Sequence, residues 1–124
     1  MPQILLVCDE PLITSQVQTT LNRQGYLVET VSTEEKALVR LASDMPNLLI
    51  QNLAEGVGDT ELWHSVRHNQ SIAELPMLLI VAKADWGPGF EANPYLTACL
   101  TKPFHPMELS SNVQRLLMPR THSA

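Results

Sequence analysis

Five apolar segments recur along the chain at intervals that suit strand–helix units: Gln3–Cys8, Tyr26–Val31, Leu48–Leu53, Met77–Ala82 and Ala98–Thr101. The first, third and fourth hold near-continuous apolar runs (Ile4–Val7, Leu48–Ile50, Met77–Ala82). Unbroken apolarity, rather than alternation, is what a strand covered on both faces requires. The second segment carries Glu29 between Val28 and Thr30 and suits a sheet edge.

Between these segments the spacing becomes helical. Pro11 stands where a first helical residue would, Ile13, Val17 and Leu21 repeat at four-residue steps, and Gly25 closes the run. Ser32-Thr33-Glu34-Glu35 reads as a capping box, with Ser32 accepting from the Glu35 amide and Glu35 reaching back. Ala37, Leu38, Leu41 and Ala42 then line one face before Pro46. Asp59 caps a third helix carrying Leu62 and Val66, and Pro106 opens a last one striped by Leu109, Val113, Leu116 and Leu117. The stretch 85–94 holds two Pro and two Gly, so the fourth helix is expected to be short or distorted.

Strand and helix alternating in this way predict an α/β fold, an open parallel sheet with right-handed crossovers and helices on both faces. In such a sheet, with strand order 2-1-3-4-5, the crevice lies beyond the carboxyl ends of the first and third strands. The residues there are Cys8, Asp9 and Glu10 on one side and Asn52, Leu53 and Ala54 on the other.

Length and charge narrow the choice. With 124 residues a single domain is expected, read as 1–118 with 119–124 a tail or the start of a linker. No apolar run approaches the ~20 residues that span a bilayer, and Ile4–Val7 is too short for a signal-peptide core, so the expected location is the cytoplasm, away from membranes. The net charge of −5 argues against direct nucleic-acid binding by this domain. Two cysteines make no disulfide framework. In the expected strand order Cys8 and Cys99 stand three strand spacings apart, roughly 14 Å, too far to bridge within one chain. Cys99 remains a candidate for contact between chains, against the commoner role of a small buried apolar residue.

Four stretches, in order, carry a resemblance that covers nearly the whole chain. Ile4-Leu5-Leu6-Val7-Cys8-Asp9-Glu10-Pro11, Pro46–Leu53, Pro76–Ala84 and Leu100-Thr101-Lys102-Pro103-Phe104 resemble the receiver domain of bacterial two-component response regulators of the chemotaxis-receiver type. The Lys-Pro-Phe triplet is the most specific piece, and the acid-Glu-Pro turn after the first strand comes next. The resemblance implies a flavodoxin-like, three-layer α/β/α fold. It also implies an aspartyl-phosphate pocket. An aspartate ends the third strand, an acidic pair after the first strand holds Mg²⁺ together with a backbone carbonyl, and a Ser/Thr hydroxyl and a lysine bind the phosphoryl oxygens. An aromatic residue three before that lysine reports the event.

At most of those positions this chain departs. The acceptor position holds Asn52, whose amide is no phosphoryl nucleophile. The first member of the acidic pair is Cys8, a soft ligand for a hard cation. Val81 stands at the hydroxyl position and Cys99 at the switch-aromatic position, leaving Asp9 and Lys102 as the matches. The pocket Cys8, Asp9, Glu10, Asn52, Val81 and Lys102 is therefore read as degenerate, with no catalytic residue, no metal, no cofactor and no small-molecule substrate. A Lys102 ammonium needs a counter-ion, and Asp9 is the expected one, with the Asn52 oxygen as second acceptor. The alternative is that both are leftovers without consequence.

Weaker signals resolve toward structure. His64 and His68 share a helix face without a third metal ligand or a zincin glutamate, so a solvated face is the better reading. Gly56-Val57-Gly58 and Gly87-Pro88-Gly89 follow no phosphate-cradle fingerprint. The expected function is a degenerate receiver, not an enzyme, that signals through protein contact or self-association on the face of its fourth helix, fifth strand and last helix. Trp86, Phe90 and Cys99 are the candidate anchors, with packing of Trp86 under its own loop the alternative. Two other readings stand beside it: the regulatory half of a transcriptional regulator whose DNA-binding domain lies elsewhere, and an atypical phospho-receiver using Asp9 or Glu10.

Overall fold

The structure, a computed structural model, describes residues 2–53, 61–82 and 96–118, with Glu61 placed by its backbone. The chain runs β1 (Gln3–Val7), α1 (Pro11–Asn22), β2 (Leu27–Val31), α2 (Glu34–Ser43), β3 (Leu48–Asn52), α3 (Glu61–Arg67), β4 (Met77–Val81), β5 (Thr97–Thr101) and α4 (Pro106–Leu117). Asp59, the expected irregular helix with Trp86 and Phe90, and the tail 119–124 lie outside the described residues.

All strand pairs are parallel, as the alternation of elements predicts, and the order is β2-β1-β3-β4-β5, the one expected for a five-stranded unit of this kind. Side chains alternate across the sheet, so each strand feeds two cores. Ile4, Leu6, Leu48, Ile50, Leu78, Ile80, Ala98 and Leu100 point to one face, where Val17 and Leu21 of α1 and Leu109, Val113 and Leu116 of α4 cover them. Leu5, Val7, Leu49, Met77, Leu79 and Val81 point to the other, beneath Ala37 and Leu41 of α2 and Leu62 and Val66 of α3. The expected edge strand β2 has no fully buried residue.

Helix ends follow local chemistry. Pro11 is the first residue of α1, as expected, and Glu10 precedes it with extended backbone and no side-chain capping bond. The helix closes as a Schellman motif: the Tyr26 amide donates to Leu21 O at 3.2 Å and the Gly25 amide to Asn22 O at 3.1 Å. Gly25 adopts φ +93°, which a side chain would resist.

The expected Ser32 cap is corrected. Thr33 caps α2, its hydroxyl accepting from the Lys36 amide at 3.1 Å, while Ser32 Oγ receives Lys36 Nζ. Glu34 and Glu35 lie in the first turn, where the helix dipole favours acids. The apolar stripe is narrower than expected: Ala37 and Leu41 are buried, whereas Leu38 is 41% exposed and Ala42 is exposed. At α4, His105 is the cap, its Nδ1 accepting from the Met107 amide while Glu108 accepts from the His105 amide.

At the end of the sheet where β4 and β5 begin, Arg67 ties α3 to the strand entries. Its guanidinium donates to Ala73 O (3.2 Å), Leu75 O (2.7 Å), Leu96 O (2.7 Å) and Thr97 Oγ1 (2.8 Å), and it lies 5.8 Å from the Trp63 ring centroid. Trp63 Nε1 donates to the same buried threonine hydroxyl. By contrast, His64 and His68 are exposed, their rings stacked at 6.0 Å, with His68 Nδ1 on His64 O at 2.9 Å.

Arg67→Met is expected to lower unfolding stability by about 2–4 kcal/mol in a urea titration, because it strands partly buried carbonyls. Arg40→Met, which breaks the 2.8 Å pair with half-exposed Glu29, should cost no more than about 1 kcal/mol.

Candidate functional site

The carboxyl ends of β1, β3 and β5 carry a small polar cluster. Strand parity sets which side chains enter it. Ile4, Leu6 and Cys8 belong to the core under α1 and α4, as do Leu48 and Ile50, and Ala98 and Leu100. Two residues beyond these rows stand Glu10, Asn52 and Lys102. The same period that fills the core thus aims three polar groups past its rim.

Glu10 is the hub. Its Oε2 accepts from Asn52 Nδ2 at 2.6 Å and lies 3.5 Å from Lys102 Nζ. The lysine side chain keeps 19% of its exposure and the glutamate 50%. Asp9 is exposed and has no ion pair with Lys102, which corrects the expected counter-ion. The Asn52 oxygen is not the lysine's second acceptor either; Oδ1 is buried without a hydrogen-bond partner among the described residues. The amide turns its nitrogen to the carboxylate because the opposite orientation would set oxygen against oxygen.

Cys8 is buried, and its sulfur meets its own turn: the Glu10 amide donates to Sγ at 3.4 Å and the thiol reaches Glu10 O at 3.5 Å. The Cys8 amide donates to Val31 O at 3.0 Å, prolonging the β1–β2 ladder by one bond. Val81 and Cys99 lie with the other core: Val81 is fully buried there and Cys99 is partly buried against it. Val81 joins the polar cluster through its backbone alone, accepting from the Lys102 amide at 2.8 Å. Cys8 and Cys99 are separated by β3 and β4 and feed opposite cores.

The described donor set does not fit the Mg²⁺ that receivers use. A hard dication wants several free oxygens. Here Cys8 offers sulfur, Glu10 Oε2 already faces Asn52 and Lys102, and no three acidic, cysteine or histidine side chains are grouped to hold a metal among the described residues.

Two polar features had no place in the sequence reading. Gln51, in the middle of the sheet, is 2% exposed and donates to Glu34 Oε2 at 2.7 Å, while its Oε1 is unpaired among the described residues. The hub role of Glu10 also went unassigned, although parity counted from Cys8 or Leu100 carries the signal for it.

A five-stranded parallel sheet in this order, with helices on both faces and a polar cluster at the carboxyl ends of β1, β3 and β5, defines a flavodoxin-like fold. The chain belongs to the response-regulator receiver domains. A protein from Chloroflexus aurantiacus described as a response regulator is 30% identical, with a TM-score of 0.81 over 94% of this chain and 97% of that one. The chemotaxis response regulator CheY4 of Vibrio cholerae is 26% identical, with a TM-score of 0.78 over 94% and 99%. Among curated proteins, the phosphate regulon transcriptional regulatory protein PhoB of Rhizobium meliloti is 28% identical over 123 residues, covering 94% of this chain and 52% of its own length. The alkaline phosphatase synthesis transcriptional regulatory protein PhoP of Bacillus subtilis is 30% identical over 121 residues, covering 93% and 48%. The chain spans about half the length of these two curated relatives. No family model matches the chain. No described helix is long and apolar enough to cross a membrane.

Asn52→Asp is expected to set two carboxylates across the 2.6 Å contact, one of them already paired with Lys102. Stability should fall by about 1 kcal/mol at neutral pH relative to the parent, because a donated hydrogen bond gives way to like charges. Paired urea titrations of the two proteins measure this.

Proposed function

We propose that this receiver domain signals without aspartyl phosphate, through protein–protein contact. The observation that carries the reading is the amide of Asn52 at the acceptor position, hydrogen-bonded to Glu10 at 2.6 Å. The lone pair of an amide nitrogen is delocalised into its carbonyl and makes a poor nucleophile toward phosphorus, and a neutral amide forms no mixed anhydride. The hydroxyl position adds nothing, since Val81 is fully buried and apolar. The partner surface proposed is the face of β5 and α4 with the segment between β4 and β5, in which Trp86 and Phe90 are the candidate anchors.

A second reading has its own support. The curated relatives PhoB and PhoP are named as transcriptional regulatory proteins and are about twice as long as this chain. On that reading the domain is the regulatory half of a transcriptional regulator, and 119–124 begins the linker. The native reading frame beyond residue 124 distinguishes the two: a DNA-binding segment there favours the regulator, and its absence favours a free-standing interaction module.

Incubation with Mg²⁺ and acetyl phosphate should leave the intact mass unchanged. A gain of one phosphoryl group that survives Asn52→Ala but is lost in Asp9→Ala or Glu10→Ala would overturn the reading in favour of an atypical acceptor. The triple variant Cys8→Asp, Asn52→Asp, Val81→Thr, which restores the three lost functional groups, is expected to gain the label that the parent lacks.

A further inference from the structure

We propose that Glu10 is the pocket's resident anion, a built-in latch that holds the β5–α4 turn in place where a receiver of the ordinary kind would use a phosphoryl oxygen. The proposal rests on the reading of an unphosphorylated pocket and adds the device that sets its conformation. One carboxylate oxygen, Oε2, faces two donors from two other strand ends: the Asn52 amide at 2.6 Å and the Lys102 ammonium at 3.5 Å. These donors suit an oxyanion, and the chain supplies that oxyanion from its own first turn.

The contact stands apart from an ordinary surface pair in three ways. The Lys102 side chain as a whole is 19% exposed, and Glu10 is the carboxylate within ion-pair distance of its ammonium among the described residues. Asn52 fixes the carboxylate independently of the lysine, which lowers the entropy lost when the lysine docks. Glu10 itself has no capping duty at α1, since its side chain makes no cap bond there. What it holds lies close to the helix start: Lys102 is followed by Pro103, by Phe104 packed against the α1–α4 core, and by His105, the cap of α4. The latch therefore ties the β1–α1 turn to the entry of α4.

Hydrogen exchange of the segment 100–105 tests this in the full chain. Glu10→Ala is expected to speed exchange there several-fold while the amides of β1 and β3 stay slow. Acetate, which returns the missing carboxylate as a free ion, is expected to restore slow exchange in Glu10→Ala but to do nothing in Glu10→Ala/Lys102→Met. Unchanged exchange in Glu10→Ala, or an acetate effect that persists in the double variant, overturns the latch. Should the β1 and β3 amides report that Glu10→Ala is unfolded, Glu10→Gln replaces it; faster exchange at 100–105 is then expected, and parental exchange refutes the proposal. These readouts involve no phosphodonor, so the latch can fail while the phosphate-free reading stands. A phosphoryl label on the parent protein removes that reading whatever the exchange shows.

Discussion

A parallel strand buried on both faces has almost no room along its length for a polar side chain, and this constraint shapes the molecule. β1, β3 and β4 are apolar nearly throughout, because each side chain that leaves one core enters the other. Polar groups are pushed to the strand ends, where the backbone leaves the sheet and water or a charged partner is within reach. The two buried exceptions are instructive. Thr97 stands at the entry of β5 and is bonded by both Arg67 and Trp63, and Gln51 gives its amide to Glu34. Each is tolerated because an adjacent helix delivers a partner to the sheet.

The same constraint explains where the residues around the polar cluster lie. Cys8 lies at the rim of the α1–α4 core, where a thiol costs little to bury and still meets the Glu10 amide. Val81 extends the opposite core by one residue and makes it more continuous. Asn52 exchanges a charge for an amide that donates to Glu10. The Lys102 side chain is largely buried, and Glu10 supplies the carboxylate that faces its ammonium at 3.5 Å.

The fold was legible because continuous apolar runs and Pro and Gly punctuation depend on burial and backbone geometry, which act locally. The edge character of β2 and the Pro11, Gly25 and Pro106 boundaries come from that source, whereas strand order follows from the fold class. The site was legible in its membership more than in its pairing. Asp9 and Glu10 are neighbours on opposite sides of an extended turn, and composition treats them alike. Extending the Ile4-Leu6-Cys8 row selects Glu10, which shares its side with Asn52 and Lys102. Ser32 and Thr33 each carry a hydroxyl able to cap, and which of them does so depends on where the chain turns from β2 into α2, which composition does not encode. Arg67 lay between two histidines that drew attention as ligands, and its partners are carbonyls, which no side-chain pattern encodes.

The arrangement also limits how a state of the pocket could travel. In the receiver family the hydroxyl after the fourth strand and the aromatic in the fifth couple phosphate to the surface, a route that needs a polar side chain and a ring able to change place. In this chain the side chains that the resemblance sets at those positions, Val81 and Cys99, lie with the core under α2 and α3, while Glu10, Asn52 and Lys102 continue the rows of the core under α1 and α4. Between the two sets the described bond is a strand ladder contact, Lys102 N–H to Val81 O, which is part of the sheet's own pairing. The polar cluster instead runs on in sequence through Pro103 and Phe104 to the His105–Glu108 capping box. Phe104 packs against the core that α4 covers, and the capping box fixes where that helix starts, so a displacement of Lys102 acts on α4 by covalent connection. This path needs neither a hydroxyl at the end of β4 nor a ring in β5, and it is the path on which the proposed Glu10 latch acts.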